Sequence, residues 1–398
     1  MNKQFMPLFV VVLLAMLSAC QFENDLPENI TSHTESDPAL IHPGETYSHV
    51  GNGKIQDAPQ LESIYTKASL SSFAQPLVNH QLIVGLKRQL RVLKYRKRKK
   101  TFKFDEMEVK LDQLERSVRS MLELVESDPE MIPQLLDAYQ IKGADSKGNV
   151  KFTGYFTPVL KVKRKPDDVY KYPIYSHPKS WKGKLPSRRQ IDGEGVLKGL
   201  ELEIAYAKNL VDIYFMQVQG SGIVEFPDGK RMLFANHGDN NHNYSSIGRY
   251  MVSKGYISDA KTSLMSIRRF LGKNPDLLEE VLFSNESYVF FTPMESKPVG
   301  AGLVQLLAEY SIAVDKRFIP LGSCLLARVP IIERNKVTHH EYRLLLAQDI
   351  GGAIKGPGRI DLYTGIGEQA RRKASALHHY GNLWLLLPKD NEPLAMAK

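Results

Sequence analysis

The sequence predicts a mainly β protein decorated by helices, built on one or two small β-barrels. Short apolar runs dominate its second half, at 288–291, 311–314, 325–329, 342–348 and 383–387, each bounded by turn-forming residues. Val224-Glu225-Phe226 and Met232-Leu233-Phe234 flank Pro227-Asp228-Gly229-Lys230, a hairpin signal. Amphipathic helical stretches precede and interrupt the strands, and no internal repeat accompanies them.

At 398 residues with 42% hydrophobic and 24% charged side chains, the chain has enough apolar mass for a sizeable core. Its 53 Lys+Arg against 44 Asp+Glu leave a net charge of +9, which suits an acidic partner: a polyanion, an anionic membrane surface or a carboxylate-bearing polymer. Two cysteines, Cys20 and Cys324, exclude a disulfide-rich scaffold and a four-cysteine zinc site. No apolar run in the body approaches the roughly 20 residues that span a bilayer.

Residues 1–19 form an export signal: Lys3, an apolar run over 5–17, then Leu17-Ser18-Ala19-Cys20. An ordinary signal peptide followed by a chance cysteine fits these features. The spelling more closely resembles the lipobox of bacterial lipoproteins. That resemblance implies lipidation of Cys20 as the first mature residue and, with Gln21 rather than Asp after it, an outer-membrane lipoprotein facing the periplasm. Cys324 is then expected to be a small buried hydrophobe.

Residues 20–60, rich in Asn, Asp, Glu, Pro, Ser and Thr, read as a tether. From 77, Val78, Leu82, Leu86, Leu90 and Leu93 recur at helical spacing, ending in the basic run 94–100. A second helix carries Met107, Leu111, Leu114, Val118, Met121 and Val125 on one face. Asp128-Pro129 breaks it, and 131–141 reads as a third. A strand over 150–162 enters a turn at Thr153-Gly154-Tyr155-Phe156-Thr157-Pro158. Residues 199–210 read as a helix and 211–219, with Val211, Ile213 and Phe215 alternating, as a strand. Ser245 or Ser246 caps a helix through 252, further helices cover 261–271 and 275–283, and a last one covers 368–379.

The densest chemistry lies in a glycine-rich loop between two carboxylates, Asp349 and Asp361. Glycines let a backbone turn tightly and approach a ligand closely. Asp349 ends the apolar run Leu344-Leu345-Leu346-Ala347-Gln348, a placement where burial raises a carboxyl pKa and suits a general acid. Asp361 lies across the loop beside Ile360 and Leu362. The plain alternative makes Asp349 a loop cap and Asp361 a surface residue. His237, Asp239 and His242 sit in a segment that reads as a polar loop, so no metal site is expected. His378-His379 reads as a surface pair at a helix end.

Taken together, Ser311-Ile312-Ala313-Val314-Asp315, Asp349-Ile350-Gly351-Gly352-Ala353-Ile354-Lys355-Gly356 and Gly358-Arg359-Ile360-Asp361 resemble the three-aspartate domain of the membrane-bound lytic transglycosylase A family. Gly365-Ile366-Gly367-Glu368 and Tyr380-Gly381 follow in family order. Upstream, Thr153–Pro158 of the turn above, Asp192-Gly193, Gln217-Val218-Gln219-Gly220-Ser221-Gly222 and Ser246-Ile247-Gly248-Arg249-Tyr250 match as well. Ile350 departs mildly, standing where Thr or Val is common. The resemblance runs from about 153 to 387. It implies a double-psi β-barrel domain with N-terminal helices (61–159 and 287–398), a second, smaller β-barrel domain inserted at 160–286, and a glycan groove between them.

It also implies a peptidoglycan lytic exotransglycosylase of the lyase class. Such an enzyme cuts between N-acetylmuramic acid and N-acetylglucosamine without water and leaves 1,6-anhydromuramyl ends; the residues do not themselves separate exo from endo action. By motif position Asp361 is the catalytic acid and base, Asp349 the supporting carboxylate and Asp315 structural. Thr153, Tyr155, Gln219, Gly220, Ser221 and Lys355 are expected to bind substrate. Gln219 and Ser221 could equally serve turn geometry, and Tyr155 and Phe156 could stack on a sugar or belong to the core. No cofactor and no nucleic acid are expected; the partners are glycan strands and, through Cys20, the membrane. The basic run 94–100 reads as a solvated helix face, or as a contact for anionic lipid or the carboxylates of peptidoglycan peptides. Two other functions remain: a glycan-binding lipoprotein that does not cut, against which the intact aspartate pair argues, and an aspartic protease, against which the absence of glycine after Asp315 argues.

Overall fold

A computed structural model describes residues 64–70, 78–95, 101–104, 107–143, 145–258, 263–334 and 336–389. Cys20, the signal and tether segments and residues 96–100 of the basic run lie outside them. All described residues belong to one compact unit.

The first part of the chain supplies β1 (Tyr65–Ala68), helix α1 (His80–Tyr95), the hairpin β2 (Thr101–Phe104) and β3 (Met107–Lys110), and helix α2 (Leu111–Ser127). Leu82, Leu86 and Leu93 of α1 and Leu114, Val118, Met121 and Val125 of α2 are buried, as their helical spacing predicts; Leu90 is half-buried, and Val92 is buried beside Leu93. Met107, expected in the second helix, belongs instead to β3.

The expected third helix is confined to α3 (Ile132–Leu135); residues 136–141 form strand β4 (Leu136–Ile141). Its helical periodicity yields to pairing on both edges, with β1 on one side and the last strand on the other. The following strands are β5 (Val150–Thr157), β12 (Ser311–Ala313), β13 (Cys324–Glu333), β14 (Lys336–Asp349), β15 (Arg359–Ile366) and β16 (His378–Pro388). They pair in the ring β16-β13-β14-β12-β15-β5, and β5 pairs back onto β16. This is a closed six-stranded barrel of mixed direction, as a double-psi barrel requires. β12 runs parallel to β14, and β15 parallel to β5. Closure leaves no free edge within the ring. Leu325, Leu345 and Leu385, in register with one another, share one face of the barrel wall, while Leu346 on the opposite face of β14 meets α1 at Gly85; α1 and α2 cover the outside within the same core. Cys324 is buried there, and burial pushes its thiol up to about 12.

Residues 159–294 build the second sheet: β6 (Val159–Lys163), β7 (Tyr172–Tyr175), β8 (Glu203–Ala207), β9 (Ser221–Glu225), β10 (Arg231–Asp239) and β11 (Val289–Met294), in the order β11-β10-β9-β6-β8-β7. Its end strands β7 and β11 touch, bringing the sheet round toward closure. β9 and β10 pair antiparallel across the anticipated Asp228-Gly229 turn. This sheet has its own core, around Tyr214, Met216, Phe234 and Phe291, together with α4 (Leu210–Gln219), α5 (Ile247–Ser253), α6 (Leu264–Lys273) and α7 (Leu278–Phe283).

Here two expected elements exchange type: 203–207 is a strand and 210–219 a helix. The Asn209 side chain accepts from Asp212 N at 2.9 Å and caps α4, while Gly220, at φ +82°, ends it. Leu210, Val211, Ile213, Tyr214, Phe215 and Met216 are all buried, so the apparent alternation is one face of a helix enclosed on most sides. Ser246, not Ser245, caps α5, accepting from Arg249 N at 3.3 Å. Helix α8 (Gly367–Ala376) stops earlier than expected, and His378 opens β16 rather than ending a helix.

Candidate active site

Four adjacent barrel strands place Asp349, Ala313, Asp361 and Thr153 in one row. Ala313 of β12 is in register with Asp349 of β14 and with Asp361 of β15, and Asp361 is in register with Thr153 of β5. His378 of β16 extends the row beyond Thr153. Registered neighbours project to the same side of a sheet. The row lies in a cleft of about 590 Å³ that is also walled by Arg188, Gln217, Gln219, Asn236, Tyr244 and other residues of the second-sheet half.

Both carboxylate oxygens of Asp349 are engaged. Its Oδ1 accepts from Ala301 N at 2.8 Å and Ile350 N at 2.9 Å, and its Oδ2 from the Tyr155 hydroxyl at 2.9 Å. Burial raises its pKa, and these three donors oppose the rise. Burial by the same surroundings and the nearby carboxylates push the Tyr155 phenol well above its ordinary range, so it stays a donor.

Asp361 is differently placed. Its Oδ1 is buried and has no hydrogen-bond partner. Burial lifts its pKa from 3.8 to about 6; the Thr153 hydroxyl and Arg359 pull it down, and Asp349 pushes it up. Arg359 is held by Ala353 O at 3.2 Å and approaches Thr153 Oγ1 at 3.4 Å, so one guanidinium ties the glycine loop to β5 beside Asp361.

A family model described as the MltA specific insert domain matches residues 151–292, and one for the 3D domain matches 310–387. The membrane-bound lytic murein transglycosylase A of Vibrio cholerae is 40% identical over 269 residues, 66% of this chain and 72% of that protein. Its Escherichia coli counterpart is 40% identical over 256 residues, 63% and 69% of the two chains. The chain belongs to the membrane-bound lytic murein transglycosylase A family. Solved structures agree. The E. coli MltA with bound chitohexaose superposes with a TM-score of 0.69 at 30% identity, covering 81% of this chain and 94% of that one. The Agrobacterium tumefaciens enzyme gives 0.68 at 28%, covering 81% and 97%.

Within this family fold, Thr153, Tyr155, Gln219 and Gly220 line the cleft, whereas Ser221 and Lys355 are not among its lining residues and Lys355 is exposed. The Gln219 carboxamide accepts from Phe156 N at 3.0 Å, joining α4 to β5. Phe156 packs with Ala370 and Ala374 of α8, while Tyr155 lies against Tyr363 at 5.2 Å. Asp315 binds Arg317 at 2.6 Å and accepts from Gly356 N at 2.9 Å, anchoring the far side of the glycine loop. Burial would raise its pKa, but these partners hold it below the ordinary value.

Within the cleft wall Arg188 is 2% exposed. It pairs with Asp192 at 3.5 Å, donates to Gln217 Oε1 at 2.6 Å and to Asn285 O and Ser287 O, and lies over Tyr214 and Tyr288. Burial lifts Asp192 to about 6 against the pull of Arg188. The sequence offers Arg188-Arg189 as a basic pair, with nothing to mark one as buried.

His242 Nε2 donates to Leu185 O at 2.9 Å, and His237 meets His177 edge-on; no group of three or more metal-ligating side chains forms among the described residues. No helix among them is long and apolar enough to cross a membrane.

Proposed function

We propose that this chain cleaves peptidoglycan strands between N-acetylmuramic acid and N-acetylglucosamine as a lytic transglycosylase, with Asp361 as its single acid and base. The observation that carries the assignment is the contrast between the two aspartates. All the hydrogen-bonding capacity that Asp349 spends on Ala301, Ile350 and Tyr155 is withheld from substrate, while Asp361 keeps an unpartnered oxygen and a pKa of about 6. A carboxyl near that value keeps a proton on roughly one molecule in ten at pH 7, enough to serve as the acid, and is a competent base once ionised.

In the proposed sequence Asp361 gives its proton to the glycosidic oxygen as the bond to the anomeric carbon breaks. The resulting carboxylate takes the proton from the muramyl C6 hydroxyl as O6 bonds to that carbon. The released strand carries the new hydroxyl, the other end is a 1,6-anhydro ring, and Asp361 is again protonated. Water takes no part because the aligned C6 hydroxyl acts at an effective molarity of about 10⁵ M or more. Asp349 positions Tyr155 and the loop at Ala301 rather than touching the leaving group. Thr153, Tyr155, Gln219 and Gly220 are the contacts offered to sugar from the cleft wall. Cys20 carries lipid that holds the enzyme at the outer membrane, facing the periplasm; the relatives' names, which call them membrane-bound, support membrane attachment.

Mass spectrometry of soluble fragments from digested sacculi tests the reaction. Anhydromuramyl termini are expected; reducing muramic acid as the main new end would make this a hydrolase.

A further inference from the structure

Among the described residues the two most exposed large hydrophobics, Leu303 at 66% and Tyr95 at 64%, border the same helix. Tyr95 is the last residue of α1. Leu303 follows Gly302, where a Cβ would stand 2.9 Å from Val92 of α1. The loop is fastened to that helix by Arg88, which donates to Gln305 O at 3.1 Å and to Gln305 Oε1 at 3.2 Å. Leu303 has φ +59°, a left-handed backbone that a leucine adopts only when its surroundings impose it.

Beside this apolar pair the outer face of α1 is cationic. Lys87, Arg91 and Lys94 stand at i, i+4 and i+7 and are exposed, and the helix contains no Asp or Glu. Lys87 has Glu126 3.7 Å away; neither Arg91 nor Lys94 has an ion-pair partner among the described residues. None of these five residues lines the cleft.

We propose that this face, Lys87, Arg91, Lys94, Tyr95 and Leu303, rests on the anionic headgroups of a bilayer, with Tyr95 and Leu303 entering the interface. Long cationic side chains beside an aromatic and an aliphatic residue meet both halves of such an interface, charge to phosphate and ring or methyls to acyl chain. The contact uses no residue of the cleft lining. It does not depend on acylation of Cys20, which would supply only the tether.

The test uses the full-length protein reconstituted in vesicles, with Leu303→Cys labelled by an environment-sensitive fluorophore. Cys324 is buried and does not compete for the label. On vesicles containing roughly one third phosphatidylglycerol, emission should rise at least about twofold over phosphatidylcholine vesicles, since each cation near an anionic surface raises binding roughly fivefold. The rise should vanish in Lys87→Glu/Arg91→Glu/Lys94→Glu and in the neutral Gln triple, while sacculus digestion by both triples stays at the wild-type rate. The label at Leu200→Cys, an exposed position on the second-sheet half, should not respond. Protein that associates with both kinds of vesicle but whose Leu303 label is indifferent to headgroup charge overturns the proposal. So does a loss of sacculus binding, rather than of the lipid response, in the charge-reversed triple, which would make the face a dock for wall carboxylates. Label uptake by the wild-type chain would instead show a free Cys20 thiol and end the lipoprotein reading. The same measurement in a Cys20→Ser background then decides the face alone.

Discussion

Asp349 and Asp361 stand on either side of Ala313, each registered with it, so one strand separates the two carboxylates. A strand spacing of about 4.8 Å puts their backbones about 10 Å apart. Across that gap Asp349 raises the pKa of Asp361, yet their hydrogen-bond partners differ, and they can hold different tasks.

Asp361→Asn should reduce sacculus digestion by at least about 10²-fold, the range for lost acid–base catalysis. It should also stabilise the protein at neutral pH. A carboxyl whose folded pKa is raised from 3.8 to about 6 loses stability as pH rises between those values, about 3 kcal/mol once fully ionised. Thermal melts should therefore show the variant well above wild type at pH 7.5 and level with it near pH 3.5. An active variant, or one destabilised at pH 7.5, contradicts the assignment.

The free enzyme must carry a proton on Asp361, so kcat/KM should fall above pH about 6, approaching tenfold per pH unit. Arg359 lowers that pKa, so Arg359→Gln should shift the falling limb to higher pH. A pH–rate profile on a soluble glycan substrate reads this shift, which simple loss of packing would not produce.

Tyr155→Phe removes one of three donors to Asp349 and should cost about 1–3 kcal/mol of stability. Gly300→Ala acts on the same carboxylate from the other side, because its Cβ would stand 2.7 Å from Gln348 O and 3.1 Å from Asp349 Cγ. Both should lower kcat while leaving the pH limb of Asp361 nearly in place. A moved limb would mean Asp349 shares the proton.

Arg188→Met leaves Asp192 buried without its partner and should destabilise by about 3–5 kcal/mol, measured by denaturant melts. The double change Arg188→Met/Asp192→Leu should recover much of that loss. Failure to recover would assign the cost to the contacts with Gln217, Asn285 and Ser287 instead.

The site's vocabulary was legible because it is local. Asp349, the glycine loop and Asp361 lie within one short segment, and the hairpin at Asp228-Gly229 is written in its turn residues. The row that joins Asp361 to Thr153 was not, because strand register is a long-range property. Leu210 to Gln219 misled for a related reason: once a helix is buried nearly all round, its apolar pattern no longer distinguishes period 2 from 3.6. Arg188 was invisible beside Arg189, since only the folded wall decides which of two adjacent arginines is enclosed.

The seam that closes the barrel passes through the site: β16 pairs with β5 at His378 and Thr153, partners separated by more than half of the chain. A contact of that span forms late and slowly during folding. A ribosome-bound or clipped polypeptide lacking β16 has Asp361 and Thr153 but no ring to hold them in line. The catalytic row is therefore completed only when the end of the chain has paired back onto β5.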